Sequence, residues 1–218
     1  MNVPSDSLED VRKRVRAILT LLKKQYPHAK CSLRFKSVHQ LMVATILSAQ
    51  CTDERVNRVT ESLFKKYHSI RSFANADLNE LGQDIFATGF HNNKAKAIKS
   101  SAQQLLERHG GKMPRTLDEL VQLQGVGRKT ASVILGAGFG LAEVVVVDTH
   151  VGRISHRLGF TRHSDPTKIE RDLIQIIARE DWIVYAYLLI DHGRAVCKAR
   201  RPECPCCPLL RLCPWPKQ

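Results

Sequence analysis

Five of the seven cysteines, Cys197, Cys204, Cys206, Cys207 and Cys213, crowd into one short stretch, whereas Cys31 and Cys51 stand alone. Such clustering in a reducing compartment points to a metal centre rather than to disulfides. Cys197, Cys204, Cys207 and Cys213 have six, two and five residues between them, and four thiolates within seventeen residues can converge on one compact centre. Zinc and a [4Fe–4S] cluster both accept four cysteines. Zinc sites usually bring ligands as two separated pairs, whereas here one Cys-x-x-Cys is flanked singly on each side, which favours iron–sulfur without settling it. Cys206 could replace Cys207 by a one-residue slip. Four unmetallated thiols would leave the Pro- and Cys-rich tail, Arg200 to Gln218, with little reason to order.

A second group surrounds Lys129. The segment Leu123-Gln124-Gly125-Val126-Gly127-Arg128-Lys129-Thr130-Ala131 is expected to join a capped helix at 116–123 to another beginning near Arg128. Gly125 and Gly127, one residue apart, let the backbone turn tightly and approach a ligand. The amides at the second helix's start then form an anion site able to hold a DNA phosphate without reading sequence. The alternative is a plain helix corner with a glycine turn. A lysine at position 129 is usually only a solvated charge. A nucleophilic role needs the free amine, and a helix N-terminus beside Arg128 works against protonation. Asp148 follows the apolar run Val144–Val147 and precedes a helix start, so it reads as an N-cap. An aspartate held against apolar neighbours can also stabilise positive charge on a sugar during glycosidic cleavage. His150 reads as a buried structural histidine satisfied by backbone.

The elements positioning these groups are helical almost throughout. Leu8, Val11, Val15, Ile18 and Leu22 follow the spacing of one apolar helix face, with Pro27 beyond its end. Val38 to Leu47 is apolar on most sides and reads as a buried helix. Val56, Val59, Leu63 and Phe64 mark the next helix, and Ala95, Ile98, Ala102 and Leu105 another, stopped by Gly110-Gly111. Asp77 looks like a helix start, and Thr116-Leu117-Asp118-Glu119 like a capping box. Asp165-Pro166 and Asp181 open two further helices. Only Val144 to Val147 reads as strand, and four residues without a partner make no sheet. The expected fold class is all-α.

Thirty-four Lys plus Arg against 21 Asp plus Glu give a net charge of +13, which attracts polyanions, nucleic acid above all. The longest apolar stretch, Ile183 to Ile190, is too short to span a bilayer, and Met1 to Asp6 has no apolar secretory region. The expected location is cytoplasmic and DNA-associated.

The C-x6-C-x2-C-x5-C array in a small, basic, helical chain resembles the [4Fe–4S] loop of the endonuclease III family, whose pattern selects Cys207 over Cys206. The Leu123–Ala131 string resembles the helix–hairpin–helix of that glycosylase superfamily, though the family usually has proline where Gln124 stands. The lysine matching Lys129 is the nucleophile in bifunctional members, and Val147-Asp148-Thr149-His150 matches the string around the catalytic aspartate, here Asp148. Ser48-Ala49-Gln50-Cys51-Thr52-Asp53 matches a segment whose glutamine, here Gln50, enters the space left by an extruded base. Gly89-Phe90-His91-Asn92-Asn93-Lys94-Ala95 matches a loop that wedges the duplex, although Phe90 could be core and Asn92 or Asn93 a cap. Gly125, Gly127 and Arg128 would carry the phosphate grip.

The resemblance implies two helical domains with the active site in the cleft between them. A six-helix module with the hairpin would span 31–141, and a discontinuous cluster domain would combine 1–30 with 142–218. It implies a monomeric DNA glycosylase and abasic-site lyase acting by base flipping. Such an enzyme removes oxidised pyrimidines from duplex DNA through a Lys129 Schiff base and cuts the strand 3′ to the site by β-elimination. A [4Fe–4S] cluster would order the basic loop containing Lys198, Arg200 and Arg201 against phosphate. The alternatives are a monofunctional adenine or mismatch glycosylase, against which Lys129 argues, a non-catalytic, metal-stapled DNA-binding protein, and a ferredoxin-like electron carrier, which has no use for a +13 charge or the hairpin.

Overall fold

A computed structural model describes residues 7–215, so the Met1–Asp6 segment read above lies outside the described residues. Within them the fold is all-α. In chain order the helices are α1 (Leu8–Gln25), α2 (Val38–Leu47), α3 (Asp53–Lys66), α4 (Ile70–Ala74), α5 (Leu78–Asp84), α6 (His91–His109), α7 (Leu117–Leu120), α8 (Arg128–Val133), α9 (Thr149–Arg157), α10 (Pro166–Ile176) and α11 (Trp182–Ala195). They fall into two units, one of Cys31–Glu143, the other combining the chain before Cys31 with the chain from Val144 onward.

The Cys31–Glu143 unit is built around α2, where Leu41 through Leu47 are all buried. Val56 and Leu63 of α3, Phe73 of α4, Leu81 of α5, Ile98 and Leu105 of α6, and Ala131 of α8 close the same core. Two starts differ from the sequence reading. Thr116 accepts the Glu119 amide, but the Glu119 carboxylate takes the Thr116 hydroxyl (2.6 Å) instead of its backbone N–H, so the reciprocal half of a capping box is missing. A complete box occurs at Ser69, where Ser72 returns the bond. The predicted 116–123 helix is only the single turn α7, and α8 runs directly into a π-helical turn at Ile134–Gly138.

In the other unit, Val15, Ile18, Leu19 and Leu22 of α1 meet Val151 and Ile154 of α9, Ile169 and Leu173 of α10, and Tyr185, Leu188 and Leu189 of α11. The fully buried Tyr185 hydroxyl is satisfied by Ser155 at 2.8 Å. Leu8 belongs to the apolar stripe by spacing but is exposed, because it stands in the first turn before the packed stretch begins. Asp165 caps α10 with Pro166 in the first turn, as the sequence suggested. Asp181 precedes α11 but caps nothing with its side chain, which pairs with Lys23 at 2.6 Å. Val144–Val147 is not a strand. Val145 is buried and the segment leads directly into α9, so its β-branched residues serve packing without a partner strand.

Candidate functional site

The hairpin before α8 is fixed by sterics. Gly125 has φ +78°, and a Cβ there would lie 2.7 Å from the Cβ of Ala97 on α6, so both backbone conformation and space require glycine. Gly127 differs. It is the extended N-cap of α8, makes no side-chain cap, and a Cβ built on it would meet nothing within 4 Å. The first amides of α8 therefore start beside open space. Arg128 and Lys129, both exposed, are its first two residues. The departure at Gln124 has a local use: its backbone N–H, which proline lacks, donates to Gln104 Oε1 at 2.8 Å.

Asp148 is the N-cap of α9. Its Oδ1 accepts the amides of His150 (2.9 Å) and Val151 (2.8 Å). Its Oδ2 lies 3.1 Å from His150 Nδ1. His150 is thus not a histidine satisfied by backbone; its ring closes on the aspartate. Gly193 makes room for that ring, since a Cβ at 193 would stand 2.7 Å from His150 Cδ2. Oδ1 thus serves the helix cap and Oδ2 the His150 ring.

Gln50 and Phe90 are both exposed, so Phe90 is not core. They share a rarer property: among the described residues they are the non-glycine positions with positive φ, +54° and +50°. Such backbone costs of order 1–3 kcal/mol per residue and persists only where surroundings over-determine it. Phe90, rather than Asn92 or Asn93, occupies the N-cap of α6, without a side-chain cap. Beneath both loops sits Lys94, only 5% exposed, whose ammonium donates to Leu47 O (2.8 Å) and Thr88 O (2.9 Å). The sequence reading missed it, although Lys94 lies four residues before Ile98 on the buried stripe of α6, where a lysine needs an explanation. Exposed Phe86, tilted against His91 at 4.8 Å between ring centroids, was missed too.

Cys197, Cys204, Cys207 and Cys213 line one cavity with apolar neighbours including Ile154, Leu209 and Trp215. Cys206 does not line it; it is exposed and directs its thiol to Glu203 O at 3.3 Å. Burial pushes the Cys207 thiol up to about 11 and raises Cys213 as well, so thiolates here need a cationic partner. Among the described residues, no three His, Cys, Asp or Glu side chains are grouped closely enough to hold a metal ion. The donor set is four soft sulfurs around a shared hollow, which fits a polynuclear iron–sulfur centre.

The tail that carries these thiols is held by arginines that the sequence reading passed over. Arg157 donates to Cys197 Sγ (3.2 Å), Lys198 O (2.9 Å) and Ala199 O (2.8 Å), and stands over the Trp215 ring. Arg153 donates to Cys197 O (3.0 Å) and Arg14 to Leu212 O (3.4 Å). His192, buried and pushed down to about 4, places Nε2 3.6 Å from Cys207 Sγ. Lys198, expected to face phosphate, is paired with Glu203, while Arg200 and Arg201 flank a second hollow.

Residues 43–179 match the HhH-GPD superfamily of base excision DNA repair proteins. Over 203 residues the chain is 49% identical to endonuclease III of Synechocystis sp., covering 93% of each chain. The chain belongs to the endonuclease III family. Endonuclease III of Escherichia coli is 35% identical, over 91% of this chain and 93% of the relative. An endonuclease III solved in a non-covalent DNA complex superimposes with a TM-score of 0.87 at 43% identity, covering 93% of this chain and 95% of that one. A covalently trapped endonuclease III–DNA intermediate matches equally well. A thermostable thymine-DNA glycosylase, at 20% identity and TM-score 0.84, shares the fold. Among the described residues, no helix is long and apolar enough to cross a membrane.

Proposed function

We propose that this chain is a bifunctional DNA glycosylase and abasic-site lyase of base excision repair, acting on oxidised pyrimidines in duplex DNA. Its membership of the endonuclease III family supports the activity. The observation that carries it within the molecule is Lys129, exposed in the first turn of α8 directly after the hairpin that Gly125 tightens.

The glycosidic carbon is unreachable in the stack, so the damaged nucleotide must leave the duplex. The Lys129 amine then attacks C1′ as the C1′–N bond breaks, and the departing base carries off the electron pair and acquires a proton. Asp148 Oδ2 stabilises the positive charge that develops on the sugar. Ring opening gives a Schiff base between Lys129 and C1′. Loss of a C2′ proton then expels the 3′ phosphate by β-elimination, which nicks the strand. Amides at the start of α8, with Arg128, hold a phosphate, Gln50 fills the vacated space and Phe90 wedges the duplex. Cys197, Cys204, Cys207 and Cys213 would hold a [4Fe–4S] cluster, which would order the Arg200–Arg201 loop near phosphate.

Incubation with abasic duplex under borohydride tests the reading. The imine should be reduced, leaving protein covalently attached to DNA, and Lys129→Ala should lose trapping and cleavage by roughly three orders of magnitude or more. Lys129→Arg should do no better, since a guanidinium stays protonated. Undiminished trapping by Lys129→Ala would show that another amine acts and would end this assignment. Binding to undamaged duplex should weaken steeply with salt as phosphate contacts release counterions.

A further inference from the structure

We infer that Lys94 is a positioning residue for base-pair opening: by bonding Leu47 O and Thr88 O together, it makes the Gln50 loop and the Phe90 loop one rigid probe. The inference rests on the DNA-facing roles of Gln50 and Phe90 proposed above and adds the part that holds them.

Three observations converge on it. First, Lys94 is 5% exposed, and its ammonium bonds two main-chain oxygens from different segments, with no carboxylate among the described residues paired to it. Second, those oxygens sit at comparable points. Leu47 ends α2 three residues before Gln50, and Thr88 ends a 3-10 turn two residues before Phe90. Third, Gln50 and Phe90 are the two described non-glycine residues in left-handed backbone. Strained residues keep their shape only when neighbouring atoms forbid relaxation. One ammonium clamping both approaches supplies that constraint at a single point. Burial pulls Lys94 below the usual lysine value, yet a neutral amine also has two hydrogens for two carbonyls.

A probe inserted into a duplex must replace the stacking and pairing of the extruded base in one event. Two loops moving independently would each sample unproductive positions, and a misplacement of about 1 Å can cost about 10²-fold in rate. The clamp therefore matters when an intact pair is opened, and not when the abasic sugar is already single-stranded. Lys94 touches neither substrate nor reacting atoms.

The test pairs two substrates with Lys94→Met, which keeps length and apolar bulk but removes both donors. One substrate is a duplex carrying a paired dihydropyrimidine; the other is a single strand with a preformed abasic site. Lys94→Met is expected to slow excision from the duplex by about 10- to 100-fold, with borohydride trapping on the single strand changed less than about threefold. A cycle of Gln50→Ala, Phe90→Ala and the double variant on the duplex should be strongly sub-additive with Lys94 present and additive in Lys94→Met. Equal losses on both substrates, or additive losses with Lys94 present, would overturn the inference. Should Lys94→Met fail to fold by circular dichroism, the cycle in the unsubstituted background decides alone. Absence of trapping by the unsubstituted chain would sink the lyase reading itself, whereas trapping with an additive cycle sinks only the clamp.

Discussion

The hairpin unit and the cysteine tail solve opposite problems with opposite means. Around Gly125, Gln50 and Phe90 the backbone takes uncommon conformations at the edge of a dense apolar core, with a single buried ammonium beneath the two loops. In the tail, little besides Leu209 is buried, and the chain is tied by Arg157, Arg153 and Arg14 to main-chain oxygens, with four thiols around a hollow. Packing can hold a loop in strain because close-packed side chains have nowhere to go. Hydrogen bonds tie the tail at its edges without burying it, so its order depends on what the four thiols bind.

The largest effect expected from this difference is all-or-none. Cys204→Ser should cost the yellow-brown colour and the iron, about four atoms per chain in the unsubstituted protein, and expose 197–215 to protease. The 31–143 unit should stay resistant. Cys206→Ser should change neither iron content nor digestion pattern, because its thiol faces away from the hollow. Bound zinc in place of iron, or iron loss only in the Cys206 variant, would reverse the assignment.

The complementary break is Gly125→Ala, which adds one methyl where 2.7 Å is available and φ is +78°. It should cost about 1–3 kcal/mol in urea unfolding and leave the iron in place. Smaller still is the capping role of Asp148. Asp148→Ala should lose about 1 kcal/mol, whereas Asp148→Asn should stay within about 0.5 kcal/mol because asparagine also caps. Both should slow base excision strongly, and Asp148→Asn should keep more activity on a preformed abasic site, which needs no glycosidic cleavage. Excision unaffected in Asp148→Asn would leave the residue with its cap alone. A change of small size and either sign is expected of Gln124→Pro. It removes the amide bonded to Gln104 at an exposed turn while stiffening the unfolded chain, so stability should move by less than about 1 kcal/mol.

Periodicity and punctuation were enough to read most helices. Val38–Leu47 is helical over the span its apolar run suggests, and Asp165-Pro166 opens α10, because burial on most sides and a preset φ leave few other options. What failed was local chemistry with two outcomes. Glu119 could bond the Thr116 backbone or its hydroxyl, and tertiary context chose the hydroxyl. Val144–Val147 has strand-forming residues, yet strand status belongs to a pair and no partner exists among the described residues. The Lys129, Asp148, Gln50 and Phe90 candidates came from motif strings. Their backbone strain, the His150 contact and the arginine ties depend on residues distant in sequence, and spacing does not encode those.

Helix α6 meets the loop clamp at Lys94 and the hairpin at Ala97, three residues or about 4.5 Å of rise apart. It therefore works as a gauge block. The feature proposed to hold the backbone of DNA and the feature proposed to enter its stack are zeroed against the same rod, so their separation is calibrated by helix pitch rather than by loop length. A one-residue insertion between Lys94 and Ala97 would turn these two faces apart by roughly 100°, decoupling grip from probe while each remained intact.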